Sequence, residues 1–398
     1  MGQLSKKVSG IKPSITLAVS AKAIALKMQG HDIIDLGVGE PDFDTPDFIK
    51  EAAIKAIRNG FTKYTAVDGI SSLKQAIIEK FARENQLVYQ TNQIIVSCGA
   101  KHSLFNAFNA LLNPGDEVII PAPYWVSYPD MVVLADGIPI FVATNAEQRF
   151  KMSAEQLQAA ITPKTRLVIL NSPSNPSGMA YSREELQALG AILMENPNVI
   201  VVTDDIYEHI FWGKEPFVNI VNVCPELYDR TIVVNGVSKA YAMTGWRIGY
   251  AAGDAKIIAV MRNMQSQSTS NPNSIAQVAA ETALRGNQSF LQERVTKFKN
   301  RHDFLVPNIN HIPGMRCMAA DGTFYAFVSV EALLEKSRLQ NDVALSEYLL
   351  EEAQVAVVPG SGFGVPGHIR LSYATSMEQL KIALERIVLA VEKLLHNP

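Results

Sequence analysis

Lys239 follows the apolar run Thr231 to Asn235 and stands in the segment Gly236-Val237-Ser238-Lys239-Ala240-Tyr241-Ala242-Met243-Thr244-Gly245-Trp246-Arg247. A single lysine at a strand end is ordinarily a solvated charge, and so is an arginine that follows it. Here both charges sit among Met, Trp, Tyr and Gly, where an unpaired ammonium is costly. A lysine in such surroundings can lose its proton and attack an aldehyde, forming an imine. Asp204 and Tyr207 close another apolar run, Val199 to Thr203. By themselves they fit a helix N-cap followed by a packed tyrosine equally well. Alternatively, the carboxylate faces a ring nitrogen and keeps it protonated, as an electron-accepting ring requires. Asn175 lies between prolines in Asn171-Ser172-Pro173-Ser174-Asn175-Pro176-Ser177-Gly178. That density of turn formers is normally just a loop, but a rigidly held amide can also donate to a phenolate oxygen. Gly99-Ala100-Lys101 enters a helix, so its backbone N–H groups and the helix dipole suit a phosphate, although many strand-to-helix turns look alike.

These positions share one context, the residues just after an apolar run. Gln93 to Ser97, Glu117 to Pro121, Ile138 to Val142, Arg166 to Leu170, Val199 to Thr203, Thr231 to Asn235 and Ile248 to Ala252 read as strands. Helical patterns lie at Phe48 to Asn59, Ser72 to Glu84, Ala154 to Ile161 and Arg183 to Met194. Several of the strands are short and apolar on both faces, which predicts a mostly parallel sheet flanked by helices in an α/β fold. In such a sheet, ligands bind beyond the carboxyl ends of the strands. After about residue 285 comes a long charged helix, Gln288 to Leu305, then strands around Gly322 to Val330 and Ala356 to Val358, then a closing helix from Met377. The expected organisation is an N-terminal arm over 1–45 that includes part of a small domain, a large domain over 46–285, and a small α+β domain over 286–398. The first 45 residues carry Pro13 and Pro41, with Pro46 just beyond them, and little regular period, so they read as an irregular arm and linker.

The 398 residues, 47% apolar and 19% charged, suffice for two or three domains at roughly 100–200 residues each. Thirty-six basic against 39 acidic residues, with no long basic run, argue against nucleic acid and membrane surfaces as partners. Cys98, Cys224 and Cys317 are too widely spaced for a metal or redox pair, so no metal is expected and a reducing cytoplasm fits best. The Met1 to Lys7 start has no apolar signal region, and no stretch approaches the roughly 18 apolar residues of a membrane span.

The sequence resembles the fold-type I pyridoxal-phosphate (PLP) aminotransferases, specifically the bacterial aspartate/prephenate subgroup of class I. The resemblance rests on Leu36-Gly37-Val38-Gly39-Glu40-Pro41-Asp42-Phe43, Lys63-Tyr64-Thr65, Pro121-Ala122-Pro123-Tyr124-Trp125, Asn175-Pro176-Ser177-Gly178, Asp204 with Tyr207, Ser238-Lys239 with Arg247, and Arg370-Leu371-Ser372-Tyr373-Ala374. These occur in the family's order from about residue 11 to the C-terminus. Any one alone is a weak signal. The resemblance implies that Lys239 is the Schiff-base lysine and moves the proton between the substrate α-carbon and the cofactor. It implies that Asp204 pairs with the pyridine nitrogen, that Tyr207 and Asn175 hold the phenolic oxygen, and that Trp125 stacks on the ring. Arg247, Ser238 and the Gly99-Ala100-Lys101 amides are expected at the phosphate. Tyr64 is expected to reach the phosphate of a neighbouring subunit, which implies a homodimer with shared sites. Gly39 would offer its N–H to the substrate, and Arg370 would clamp the α-carboxylate. Three residues before the lysine the family often has a phosphate-binding serine; Gly236, which has no hydroxyl to offer, stands there instead.

The activity implied is reversible ping-pong transfer of an amino group between L-aspartate and 2-oxoglutarate, with prephenate as a further acceptor. Lys12, Thr16 and Lys101 are the candidates for the second carboxylate. Aminotransferases of aromatic or neutral preference and other PLP-dependent lyases share the same constellation. A nucleotide-dependent oxidoreductase would need a GxGxxG turn between strand and helix. Gly362 to Gly367 matches that string, but Pro366 and the strand-like His368 to Ser372 follow in place of a helix. A non-catalytic regulator of the same fold would add a DNA-binding segment, for which this chain has no spare length.

Overall fold

A computed structural model describes residues 5–11 and 15–396; Lys12 and the side chain of Thr16 lie outside the described residues. The strands are β1 (Ile34–Asp35), β2 (Ile94–Ser97), β3 (Glu117–Ala122), β4 (Ile138–Ala143), β5 (Thr165–Asn171), β6 (Ile200–Asp204), β7 (Thr231–Gly236), β8 (Gly249–Ala252), β9 (Arg316–Cys317), β10 (Tyr325–Ser329), β11 (Val355–Ala356), β12 (Val358–Pro359) and β13 (His368–Ser372). Seven of them form one sheet in the order β2-β8-β7-β6-β5-β3-β4. Its members from β7 to β4 run parallel, whereas β8 is antiparallel to both β2 and β7.

Strand alternation divides this sheet between two cores. Val168, Val201 and Val233 pack on one face with the helices Ser71–Lys80 and Ser274–Arg285. Leu167, Ile169, Val202 and Val234 pack on the other with the helices Ala100–Leu111 and Ala255–Ser266. Burial of each such side chain contributes about 1.5–3 kcal/mol, so the sheet centre is held from both sides. Ser153 and Ser182 open their helices with reciprocal capping boxes that satisfy first-turn amides.

The second sheet is antiparallel, in the order β12-β13-β10-β9, and packs with the helices Ser289–Asn310 and Met377–His396 around a third core. Ile206 and Tyr207, from the turn after β6, belong to that core as well. The end of the central strand therefore lies where the two sheets' cores meet.

Two expectations are corrected. The N-terminal segment is not irregular throughout, because Ile15–Met28 is a helix and β1 pairs in parallel with β11. Ala and Leu give this segment high helix propensity, and its apolar residues form no single stripe that would betray the period. The stretch read as one strand at Ala356 to Val358 divides into β11, paired with β1, and β12, paired with β13. Among the described residues, no helix is long and apolar enough to cross a membrane.

Candidate active site

Where β5, β6 and β7 end, parallel pairing places Asn171 beside Asp204 and Asp204 beside Val234. The Asn171 side chain donates to the Asp204 carbonyl at 2.8 Å and accepts from the Asn175 N–H at 2.9 Å, which joins two strand ends to the loop. The turn after β6 is anchored from beneath. The carboxylate of Glu208 is buried and accepts from Lys80, from Asn85 Nδ2 at 2.6 Å and from Asn235 Nδ2 at 2.7 Å. Above these ends opens a cavity of about 480 Å³ whose wall includes Gly39, Trp125, Asp204, Tyr207, Lys239 and Arg370.

Lys239 Nζ donates to the Gly39 carbonyl at 2.5 Å and lies 5.8 Å from the centre of the Tyr207 ring. Exclusion of water, followed by the nearby Arg370 cation, pulls its pKa down to about 8, against the opposing pull of Glu40. Burial pushes the Asp204 carboxyl up to about 6, while the hydrogen bond from Tyr128 Oη at 2.7 Å acts in the opposite direction. Arg370 is buried; its Nη1 donates to Asn175 Oδ1 at 3.0 Å and its Nη2 to the Gly37 carbonyl at 2.7 Å. Its Nε is buried without a partner, and no ion pair reaches the guanidinium among the described residues. On the opposite side, Arg247 donates to the carbonyls of Thr244 and Cys98 and lies against the Gly99 turn, which opens the helix Ala100–Leu111. A Cβ on Gly99 would stand 2.1 Å from Arg247 Nη2 and would displace the end of that side chain, and the glycine's φ of +92° is a backbone conformation that favours glycine. Free first-turn amides, Arg247 and Lys101 make this end of the cavity attractive to an anion.

The match to the family model for class I and II aminotransferases extends over residues 31–387. The chain belongs to that family. It is 58% identical over 391 residues to the aspartate/prephenate aminotransferase of Nitrosomonas europaea, an alignment covering 97% of this chain and 98% of the relative. Among solved structures, the aspartate aminotransferase of Rhizobium meliloti superposes with a TM-score of 0.94 at 49% identity, covering 99% of this chain and 100% of that one. The aspartate aminotransferase of Thermus thermophilus with maleate gives a TM-score of 0.93 at 43% identity, covering 98% and 100%. These likenesses agree with the α/β fold expected from the apolar runs.

In this aminotransferase, Gly39, Ala100, Lys101, Trp125, Asn175, Asp204, Tyr207, Ser238, Lys239, Arg247 and Arg370 all line the one cavity. Gly99 lies just behind it, under Arg247. Tyr64 does not line it, and the side chain is 92% exposed. Lys101 Nζ sits 4.8 Å from the centre of the Trp125 ring. Sequence reasoning missed Tyr128, Asn171, Gly37, Glu40, Thr244 and Tyr325. Tyr128 hid in an apolar helix and Tyr325 in an apolar strand, where a tyrosine reads as core; only the hydrogen bonds of their hydroxyls distinguish them. Asn171 and Glu40 stood within motifs already singled out, so their place could have been read.

Proposed function

We propose that this aminotransferase carries PLP on Lys239 and exchanges an amino group between L-aspartate and 2-oxoglutarate by a ping-pong route, with prephenate as a further acceptor that yields arogenate. The observation that carries the reading is Arg370. A buried guanidinium with an unpartnered Nε and no carboxylate of its own, on the wall that also holds Lys239, is matched to a substrate carboxylate. The names of the relatives, aspartate/prephenate aminotransferase and aspartate aminotransferase, support the choice of substrates.

The residues fit the cofactor on three counts. Gly99, the amides of Ala100 and Lys101, Ser238 and Arg247 form a cradle for its phosphate, in which the missing Cβ at position 99 leaves room for the Arg247 guanidinium. Asp204, desolvated and raised in pKa, gains from a cationic ring nitrogen opposite it. Tyr207 and Asn175 supply neutral donors for a phenolic oxygen, and Trp125 supplies a flat face for the ring. When bound, PLP supplies an aldehyde carbon for amine capture and a protonated ring that withdraws electrons.

Each side chain then has a task. Asp204 holds the proton on the ring nitrogen. Lys239, partly neutral at pH 7–8 because burial opposes its charge, takes the proton from the substrate α-carbon. Arg370 orients that carbon by gripping the adjacent carboxylate, and the Gly39 N–H assists from the facing turn. Lys12, Thr16 and Lys101 serve the second carboxylate.

Residues 46–285 and 286–398 act as large and small domains, with 1–45 as an arm that contributes to the small one. The exposure of Tyr64 suits a contact with the phosphate site of a second copy, so the working unit is a homodimer, placed in the cytoplasm. Steady-state rates for a panel of amino donors against 2-oxoglutarate, oxaloacetate and prephenate test the reading. Aspartate and 2-oxoglutarate should lead, with measurable prephenate turnover; a preference for aromatic or neutral donors, or release of product without an oxo-acid acceptor, would replace it.

A further inference from the structure

Tyr207 and Tyr325 are both buried, and their hydroxyl oxygens lie 2.9 Å apart. The Arg370 guanidinium stands over the Tyr325 ring, 4.4 Å from its centre. A Cβ on Gly39 would come within 2.9 Å of the Tyr325 hydroxyl, so the turn beside Lys239 leaves that oxygen its room. Each phenol has a single proton to give. A phenolate oxygen facing Tyr207 can only accept, so Tyr207 must spend its proton there, and the bond between the two phenols then requires Tyr325 to donate. The cation over the Tyr325 ring withdraws electron density and favours the same direction.

From this geometry we infer that Tyr325 is a positioning residue: it donates to the Tyr207 oxygen, turns the Tyr207 O–H toward the cofactor's phenolic oxygen, and links that contact to the carboxylate clamp at Arg370. The inference rests on the proposed placement of Tyr207 at that oxygen. A phenol that accepts a hydrogen bond becomes a stronger donor, so Tyr325 stabilises negative charge on the ring oxygen through Tyr207.

The test is an absorbance titration of PLP-loaded wild type, Tyr325→Phe, Tyr207→Phe and the double variant, with PLP affinity of the cofactor-free forms measured by fluorescence. Asp204, Tyr128, Lys239, Arg370, Arg247 and Glu40, the titratable groups that surround the pair, are the same in all four proteins. Loss of one hydrogen bond should raise the titration midpoint of the bound chromophore by about 0.4–1 pH unit in Tyr325→Phe. Added to Tyr207→Phe, the same change should do nothing further. Tyr325→Leu, which also removes the ring beneath Arg370, should in addition raise KM for dicarboxylates. An unmoved midpoint in Tyr325→Phe, or an equal rise in both backgrounds, overturns the inference while leaving the PLP reading intact. A wild type that forms no imine chromophore with PLP overturns both, and a chromophore that does not titrate in any of the four proteins overturns the inference alone.

Discussion

Arg370 and Asn175, 195 residues apart in the chain, meet at 3.0 Å, one from β13 of the small sheet and the other from the loop after β5 of the large one. The contact leaves the guanidinium fixed in plane with Nε still to be satisfied. Arg370→Lys keeps the charge and loses the fork, so kcat/KM for both oxo acids should fall about 10–100-fold, mainly through KM. Steady-state kinetics check this, and an effect confined to kcat would contradict a binding role.

Asp204 ties stability to function in opposite senses. Its folded pKa of about 6 lies above the ordinary 3.8, so the folded chain binds more protons between those values and loses stability as pH rises through them. Cofactor-free Asp204→Asn should therefore be more stable than wild type at pH 7, by up to about 3 kcal/mol, with the gap closing near pH 4. Urea melts at both pH values measure it. In the loaded enzyme, Asp204→Ala should lose rate far more than PLP affinity; unchanged α-proton exchange in single turnovers would remove the role.

Lys239→Ala should lose at least about 10⁴-fold in rate, the scale for deleting an acid/base and nucleophile. Borohydride reduction of the loaded wild type and peptide mapping should place the label on Lys239, and a label on another lysine would reassign the site. Because burial lowers this lysine to about 8, the neutral amine grows with pH, so covalent capture of PLP by the cofactor-free protein should accelerate up to about pH 8 and then level off.

Gly99→Ala tests the phosphate end. The added Cβ meets Arg247 at 2.1 Å on a backbone with φ +92°. The strain of about 1–3 kcal/mol and the displaced guanidinium should weaken PLP binding at least about tenfold. Fluorescence titration of the cofactor-free variant gives the number, and wild-type affinity would show that the anion sits elsewhere.

Lys12 and Lys101 divide the second carboxylate between them in the proposed reading. Lys12→Ala should cost roughly 1–3 kcal/mol of transition-state binding for prephenate and less for the aspartate/2-oxoglutarate pair, which Lys101 and Thr16 still serve. Values of kcat/KM for both acceptors in wild type, Lys12→Ala and Lys101→Ala decide it. Equal losses in Lys12→Ala would make the arm lysine structural only.

Strand ends and site motifs were legible because they are local. An apolar run of five residues can be covered only from two sides, and an Asp that ends it, such as Asp204, or a Lys three residues beyond its end, such as Lys239, is carried to the sheet's rim by the chain itself. The Ile15–Met28 helix was not legible, since its apolar residues face the chain from several directions and its buried Ala23 packs against Ile33, Leu350 and Ala356.

The sequence by itself determined the two-sided strands, the glycine-bearing turn before the helix at Ala100, and the residue types that can bind an anion or attack an aldehyde. Only the tertiary structure decided which tyrosines are polar participants. Tyr128 and Tyr325 share an apolar setting with Tyr373 and Tyr250, and they differ in what lies within 3 Å of the hydroxyl, a carboxylate in one case and a second phenol in the other. That distinction depends on segments 76 and 118 residues away along the chain, which no local pattern encodes.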